Sequence, residues 1–359
     1  MPISGVFDAF LRSETLFDNL KAYARPIRER LRGLRHAFSG CNEPKLCEMS
    51  ALWVRQAEEI IADIAALQYA PVGEIPLARI AKRLGKLEAC DEDFQYELYL
   101  KEKKREELSG DSEAGASRHY SRDDLEIYRH AAWKLSEAYG KARVAFEDAA
   151  IYANNSLMLL KGDAGSGKTH LLCDVVRRRA ESGLPAILLT GKRFKAINDP
   201  WVQVLQHMDY QGTSEQFIGA LETAAQTTNT RALLVIDALN EGPGREIWQS
   251  DLAAFLSRLE RSAWISTVLS VRTSYEEIVI PKEVADQAVH VVHEGFSGCE
   301  YEAAQQYFIH YGIQVPSDPF LSSEYSNPLF LKTLCEGLRN TGKQRCLRRS
   351  RSARVAVQK

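Results

Sequence analysis

Gly-Asp-Ala-Gly-Ser-Gly-Lys-Thr, residues 162–169, decides how this chain reads. It fits the Gly-x-x-x-x-Gly-Lys-Ser/Thr phosphate-binding loop without a mismatch. Gly162, Gly165 and Gly167 let the backbone wrap closely around phosphate oxygens, with N–H groups turned inward. Asp163, Ala164 and Ser166 complete the wrap. Lys168 supplies a charge for the β- and γ-phosphates, and Thr169 a hydroxyl for Mg²⁺. The flanks agree. Residues 156–161 (Ser-Leu-Met-Leu-Leu-Lys) form a short apolar run suited to a buried strand. From His170 the chain continues as a helix whose N-terminal dipole faces the phosphates.

Outward from the loop, strands and helices alternate. Strands are expected at 185–190, 231–237 and 264–271, and a fifth at 289–293. Helices are expected at 214–225 and 246–259. Continuous apolar strands separated by helices predict an α/β fold with a five-stranded parallel sheet covered on both faces and right-handed connections.

The third strand runs through four apolar residues into Asp237, followed by Ala-Leu-Asn-Glu-Gly. An acid at the carboxyl end of a central strand lies beside the phosphate loop and is suited to holding Mg²⁺. Glu241 is placed to orient or deprotonate the attacking water, although Gly242-Pro243-Gly244 leaves the local geometry open. The fourth strand runs into Arg272, whose guanidinium is suited to developing phosphoryl charge. A strand-ending turn acid and an ordinary surface arginine are the bland readings of Asp237 and Arg272.

Residues 1 to about 107 read as helical. Residues 51–70 carry apolar residues at helical spacing, and Pro71 stops them. A second short helix is expected at 77–87. Its Ile-Ala-Lys-Arg-Leu-Gly (80–85) has the pattern of one helix of a helix-turn-helix, a pattern ordinary amphipathic helices share. Residues 101–107 are a mixed charge run at a solvated helix end. Residues 109–121 are small and polar, as in a flexible linker. A long helix then spans about 122–150. Leu125, Tyr128, Ala132, Leu135, Tyr139, Ala142, Phe146 and Ala149 form a seam that must be buried. The nucleotide domain, the earlier helices and a second copy are the available partners. Gly140 and the small alanines favour packing within the chain.

The composition sets bounds. With 359 residues, 45% of them apolar, the chain is long enough for two or three domains. A net charge of −2 makes the whole chain no trap for nucleic acid. Seven scattered cysteines complete no zinc pattern and read as reduced thiols. No stretch approaches the roughly 18 apolar residues that cross a bilayer. No secretory leader is visible at the N-terminus. The expected location is the cytoplasm.

Four stretches together carry a family resemblance: 161–170, then Val-Ile-Asp-Ala-Leu-Asn-Glu-Gly (235–242), Leu-Ser-Val-Arg-Thr-Ser (269–274) and Ser-Asn-Pro-Leu-Phe-Leu-Lys (326–332). The chain resembles STAND NTPases over about residues 125–340, and among them the NACHT-type, Avs-like bacterial proteins of antiphage defence. That family commonly reads Asp-x-x-Asp-Glu at the acidic strand end. Here Asn240 stands at the second acid, so only Asp237 and Glu241 carry over. Arg272 matches the family's sensor arginine. Asn327-Pro328 resembles the segment whose proline, here Pro328, packs near adenine in a small helical domain. The resemblance implies ATP and ADP binding with Mg²⁺, slow hydrolysis, a protein trigger, and a switch from a closed monomer to an open ATP-bound oligomer.

The implied organisation is a helical region to residue 120, a long helix to 155, an NTPase core at 156–295 and the start of a small helical domain at 296–344. The last segment, 345–359, carries six basic residues and no acid. It reads as a truncated or frame-shifted end, or as a nucleic-acid-binding tail. The family's helical-repeat sensor is expected beyond this point. Residues 1–120 show no nuclease, protease or membrane signature. A GTPase's Asn/Thr-Lys-x-Asp is absent. Leu-Ser-Gly at 108–110 lies on the wrong side of the loop for an ABC ATPase. Arg258, Arg261 and Arg272 do not cluster as a kinase lid. An AAA+-like ATPase and a non-hydrolysing nucleotide-binding scaffold remain as alternatives.

Overall fold

The computed structural model describes residues 3–109, 122–196, 198–243, 245–315 and 323–340. Residues 110–121 of the expected linker, Gly244 and the basic segment 345–359 lie outside the described residues. The chain divides into two compact units, Met1–Asn154 and Asn155–Lys359.

The first unit is helical. Its elements are α1 (Ile3–Phe10), α2 (Glu14–Ala22), α3 (Ala24–Ala37), α4 (Pro44–Ala65), α5 (Leu77–Ser109) and α6 (Arg122–Ala153). Pro44 occupies the first turn of α4, where its missing N–H costs nothing. That helix therefore starts earlier than the 51–70 pattern suggests, and it ends at Ala65, ahead of the expected stop at Pro71. Helix α5 is three times longer than expected. Phe94 and Leu98 extend the buried stripe of Ile80, Leu84 and Leu87 well past residue 87. The helix-turn-helix-like stretch is thus core: Ile80, Ala81 and Leu84 are buried within one continuous helix.

The seam of α6 is covered inside this unit. Leu125, Tyr128, Ala132, Leu135, Tyr139, Ala142, Phe146 and Ala149 all join one core with residues of α2 to α5. Arg12 locks the unit's end. It takes a positive φ of 50°. Its buried guanidinium donates to Ala153 O at 2.6 Å, Ala70 O at 3.2 Å and Asn154 Oδ1 at 3.1 Å. Burial lowers its pKa to about 10.

The second unit is α/β. In order it holds β1 (Leu157–Gly162), α7 (Lys168–Glu181), β2 (Ala186–Thr190), α8 (Pro200–His207), α9 (Ser214–Thr227), β3 (Ala232–Asp237), α10 (Arg245–Leu259) and β4 (Ile265–Arg272). There follow α11 (Glu276–Val279), α12 (Lys282–Gln287), β5 (Val289–Val292), α13 (Glu300–Tyr311) and α14 (Pro328–Asn340). The five strands form one parallel sheet in the order β2-β3-β4-β1-β5. Strands β3 and β4 are buried almost throughout, as befits a sheet covered on both faces. Strand β5 alternates buried and exposed residues and forms an edge.

The order has one consequence for the site. Strand β4 lies between β1 and β3, so Asp237 and the phosphate loop are bridged by β4 and are not on neighbouring strands. The register pairs Gly162 with Arg272 and Ile236 with Leu269. Strands β1 and β4 therefore end at one level, and β3 ends at Asp237 beside Ser270, two residues short of it.

Candidate functional site

Residues 163–167 leave β1 and turn directly into α7. Gly165 takes φ of 77° and Gly167 of 100°, in the left-handed region that disfavours side chains. A Cβ at Gly165 would lie 2.7 Å from Leu329 Cβ, so space as well as φ requires glycine there. Lys168, Thr169 and His170 open α7, and all the residues from Ala164 to Leu171 line a cavity of about 560 Å³.

The Lys168 ammonium folds back on the loop. Nζ donates to Gly162 O at 2.7 Å and to Asp163 O at 2.9 Å. Burial lowers its pKa. The charge of Arg272 adds to this and that of Asp237 opposes it. Thr169 Oγ1 donates to Asp237 Oδ2 at 2.7 Å. Asp237 is 3% exposed, and its other oxygen, Oδ1, accepts from Ser270 Oγ. Ser270 Oγ in turn accepts from Ala238 N at 2.9 Å. Ala238 has φ of 57°, so the chain reverses sharply just after the acid.

Glu241 and Arg272 also reach this cavity, and they meet each other: Arg272 Nη2 donates to Glu241 Oε1 at 2.8 Å. Asn240 holds the end of β4, with Oδ1 accepting from Arg272 N at 3.0 Å. Pro328 lines the same cavity, its Cγ 3.5 Å from where a Gly167 Cβ would sit. Of the residues singled out from the sequence, Ala164 to His170, Asp237, Glu241, Arg272 and Pro328 line this one cavity, and Gly162 and Asp163 lie behind it as carbonyl partners of Lys168.

Several lining residues were not anticipated. Ser270 looks like an ordinary strand residue in the sequence and Asn240 like the loss of an acid; only the β3–β4 register reveals their bonds. His293 follows β5, and its N–H donates to Lys161 O at 2.7 Å, extending the ladder. Its ring is half-buried beside the loop. Burial lowers its pKa, and the Lys168 charge lowers it further. Phe296 and Tyr307 line the cavity as an edge-to-face pair with centroids 5.9 Å apart. Phe296 in the turn after β5 and Tyr307 within α13 carry no spacing signal that marks them.

The glycine loop between a buried parallel strand and a helix, facing an acid on β3 across an inserted β4, is decisive. The fold is that of a P-loop NTPase. No family model matches the chain, and no curated protein matches it. Among solved structures, AMPPCP-bound DnaA from Aquifex aeolicus aligns with a TM-score of 0.34 and 15% identity, over 53% of this chain and 53% of that one. PCH-2 from C. elegans aligns with a TM-score of 0.29 and 15% identity, over 52% of each chain. The chain spans about half the length of each. Neither likeness bears on subfamily or activity.

Among the described residues, no helix is long and apolar enough to cross a membrane. No cluster of three or more His, Cys, Asp or Glu side chains there forms a metal site.

Proposed function

We propose that the second unit binds ATP with Mg²⁺ and hydrolyses it slowly, using the product state as a switch. The observation that carries this reading is the Thr169 Oγ1–Asp237 Oδ2 hydrogen bond of 2.7 Å. It brings the loop hydroxyl and the strand-end carboxylate together, and both are hard oxygen donors suited to Mg²⁺. A Mg²⁺ ion held by Thr169 and Asp237 would neutralise charge on the phosphates.

The other residues have separate tasks. Lys168 exchanges the Gly162 and Asp163 carbonyls for phosphate oxygens. Loop amides and the α7 dipole hold the same oxygens. Glu241 orients the attacking water and takes its proton, and Arg272 meets the charge that develops on the transferred phosphoryl group. Phe296, Tyr307, Pro328 and Leu329 offer apolar surface to the base. The absent guanine motif favours adenine.

The finer reading is a STAND-type switch of the NACHT, Avs-like kind in bacterial antiviral defence, acting in the cytoplasm. It rests on the four sequence stretches quoted above. On this reading residues 156–295 are the NTPase core, 296–344 the start of a small helical domain, and 1–120 an effector or adaptor region. A protein trigger and ATP-dependent self-assembly belong to it.

A non-hydrolysing scaffold has one observation in its favour: the Arg272–Glu241 ion pair occupies the candidate base. Phosphate release by the purified chain separates the two. The switch reading expects slow, Mg²⁺-dependent release from ATP that chelation abolishes. Tight ATP binding without any release would favour the scaffold.

A further inference from the structure

Asn327 sits immediately before α14 and makes contacts in two directions. Its Oδ1 accepts from Leu329 N at 2.9 Å and Phe330 N at 3.2 Å, capping the helix. Its Nδ2 donates to Ala164 O, in the middle of the phosphate loop, at 3.0 Å. Leu329 N also lies 3.3 Å from Gly165 O as a donor. Two consecutive loop carbonyls are therefore held by the first turn of α14. The approach is as close as glycine allows, with Asn327 Oδ1 3.0 Å from where a Gly165 Cβ would be.

We propose that Asn327 is a positioning residue for the phosphate loop, one amide side chain that ties the loop's peptide orientation to the seating of α14. The proposal rests on reading the loop as a nucleotide site. A peptide unit is planar and trans, so its N–H points opposite to its C=O. Holding Ala164 O and Gly165 O toward α14 aims the N–H groups of Gly165 and Ser166 to the other side. Ser166 N now makes a long 3.3 Å bond to Asp163 O, which a phosphate oxygen can replace. If α14 leaves, both carbonyls lose their donors and the amides lose their aim. By linkage, whatever the nucleotide gains from a seated α14, α14 gains from the nucleotide. That is a direct route from site occupancy to the segment after β5, whose Phe296 N donates to Ser326 O at 2.7 Å.

A purely structural role as helix cap makes a different forecast, and two substitutions separate them. Asp and Ser cap helices about as well as Asn. Neither replaces the donor to Ala164 O: an ionised Asp only accepts, and a Ser hydroxyl is too short. Ser adds no charge near the nucleotide.

The test is amide hydrogen exchange on the full chain without nucleotide, followed by ATP titration calorimetry. Asn327→Ser and Asn327→Asp should speed exchange at residues 163–167 about three- to tenfold, the scale of one lost hydrogen bond, and leave residues 331–340 unchanged. Asn327→Ser should weaken ATP binding by a similar factor. Unchanged loop exchange in both variants, or equal acceleration in α14, overturns the proposal. So does wild-type ATP affinity in Asn327→Ser. Loop exchange that responds in a protein taking up no ATP supports the clamp and overturns the nucleotide reading instead.

Discussion

Arg272 Nη2 lies 2.8 Å from Glu241 Oε1, so the two side chains suited to the chemical step are paired with each other. Both are about two-fifths exposed, with side-chain exposures of 40% and 41%. An ion pair open to water to that degree contributes little to stability and is readily exchanged. Glu241→Gln keeps an acceptor for Arg272 and removes the base. Turnover should fall about a hundredfold or more, with ATP affinity held within about threefold, because no ground-state phosphate contact is lost. Phosphate release and calorimetry on one preparation check both halves. Undiminished turnover would remove Glu241 from the mechanism.

Ser270 is fully buried and joins Asp237 Oδ1 to Ala238 N. Ser270→Ala leaves both groups without that partner. Urea unfolding should show a loss of about 1–3 kcal/mol. The Mg²⁺ concentration that half-saturates ATP binding should rise, because the Asp237 carboxylate loses the bond that fixes its rotation. ATP affinity measured in EDTA should stay as in the wild type.

The phosphate loop was legible because backbone closeness, charge and hydroxyl each demand a residue type at a set spacing. The α/β alternation was legible because a doubly covered strand must be continuously apolar. What escaped was whatever depends on strand order. Asn240 interrupts a familiar acidic pattern, yet its amide accepts from Arg272 N, a contact that needs β4 beside β3. Helix α8 escaped for another reason. Its eight residues are too few for a clear period, and its start is marked only by Asp199, which caps Trp201 N at 2.6 Å, and by Pro200. The length of α5 was hidden because its far half carries many charges, while Phe94 and Leu98 keep its buried face.

His293 gives a pH dependence. Its folded pKa lies below the ordinary 6.5, through burial and then the Lys168 charge. The unfolded chain therefore binds the proton more readily. Stability is fully present above about pH 6.5 and falls as the pH drops from there toward the lower folded value. His293→Gln should flatten that part of the curve. Thermal melts of both proteins from pH 7.5 to 5 measure it, and parallel profiles would show that His293 contributes nothing.

Arg12 is 2% exposed and its guanidinium joins Ala153, Ala70 and Asn154. Arg12→Ala opens a cavity and leaves the buried Ala153 O without its donor. The helical unit should lose about 1–3 kcal/mol, the scale of a buried carbonyl left without its donor. Urea denaturation followed by circular dichroism measures it. A loss below about 1 kcal/mol would mean that water replaces the guanidinium at no cost, contrary to the burial seen here.

The central claim is that Lys168 and its loop hold the phosphates of ATP. Calorimetric titration of ATP and Mg²⁺ into wild-type protein and Lys168→Ala tests it most directly. Saturable one-site binding is expected for the wild type. A loss of roughly a hundredfold or more is expected in the variant, the scale of a charge partner removed from a partly buried site, with the variant still folded by circular dichroism. Equal ATP affinity in the two proteins would contradict it.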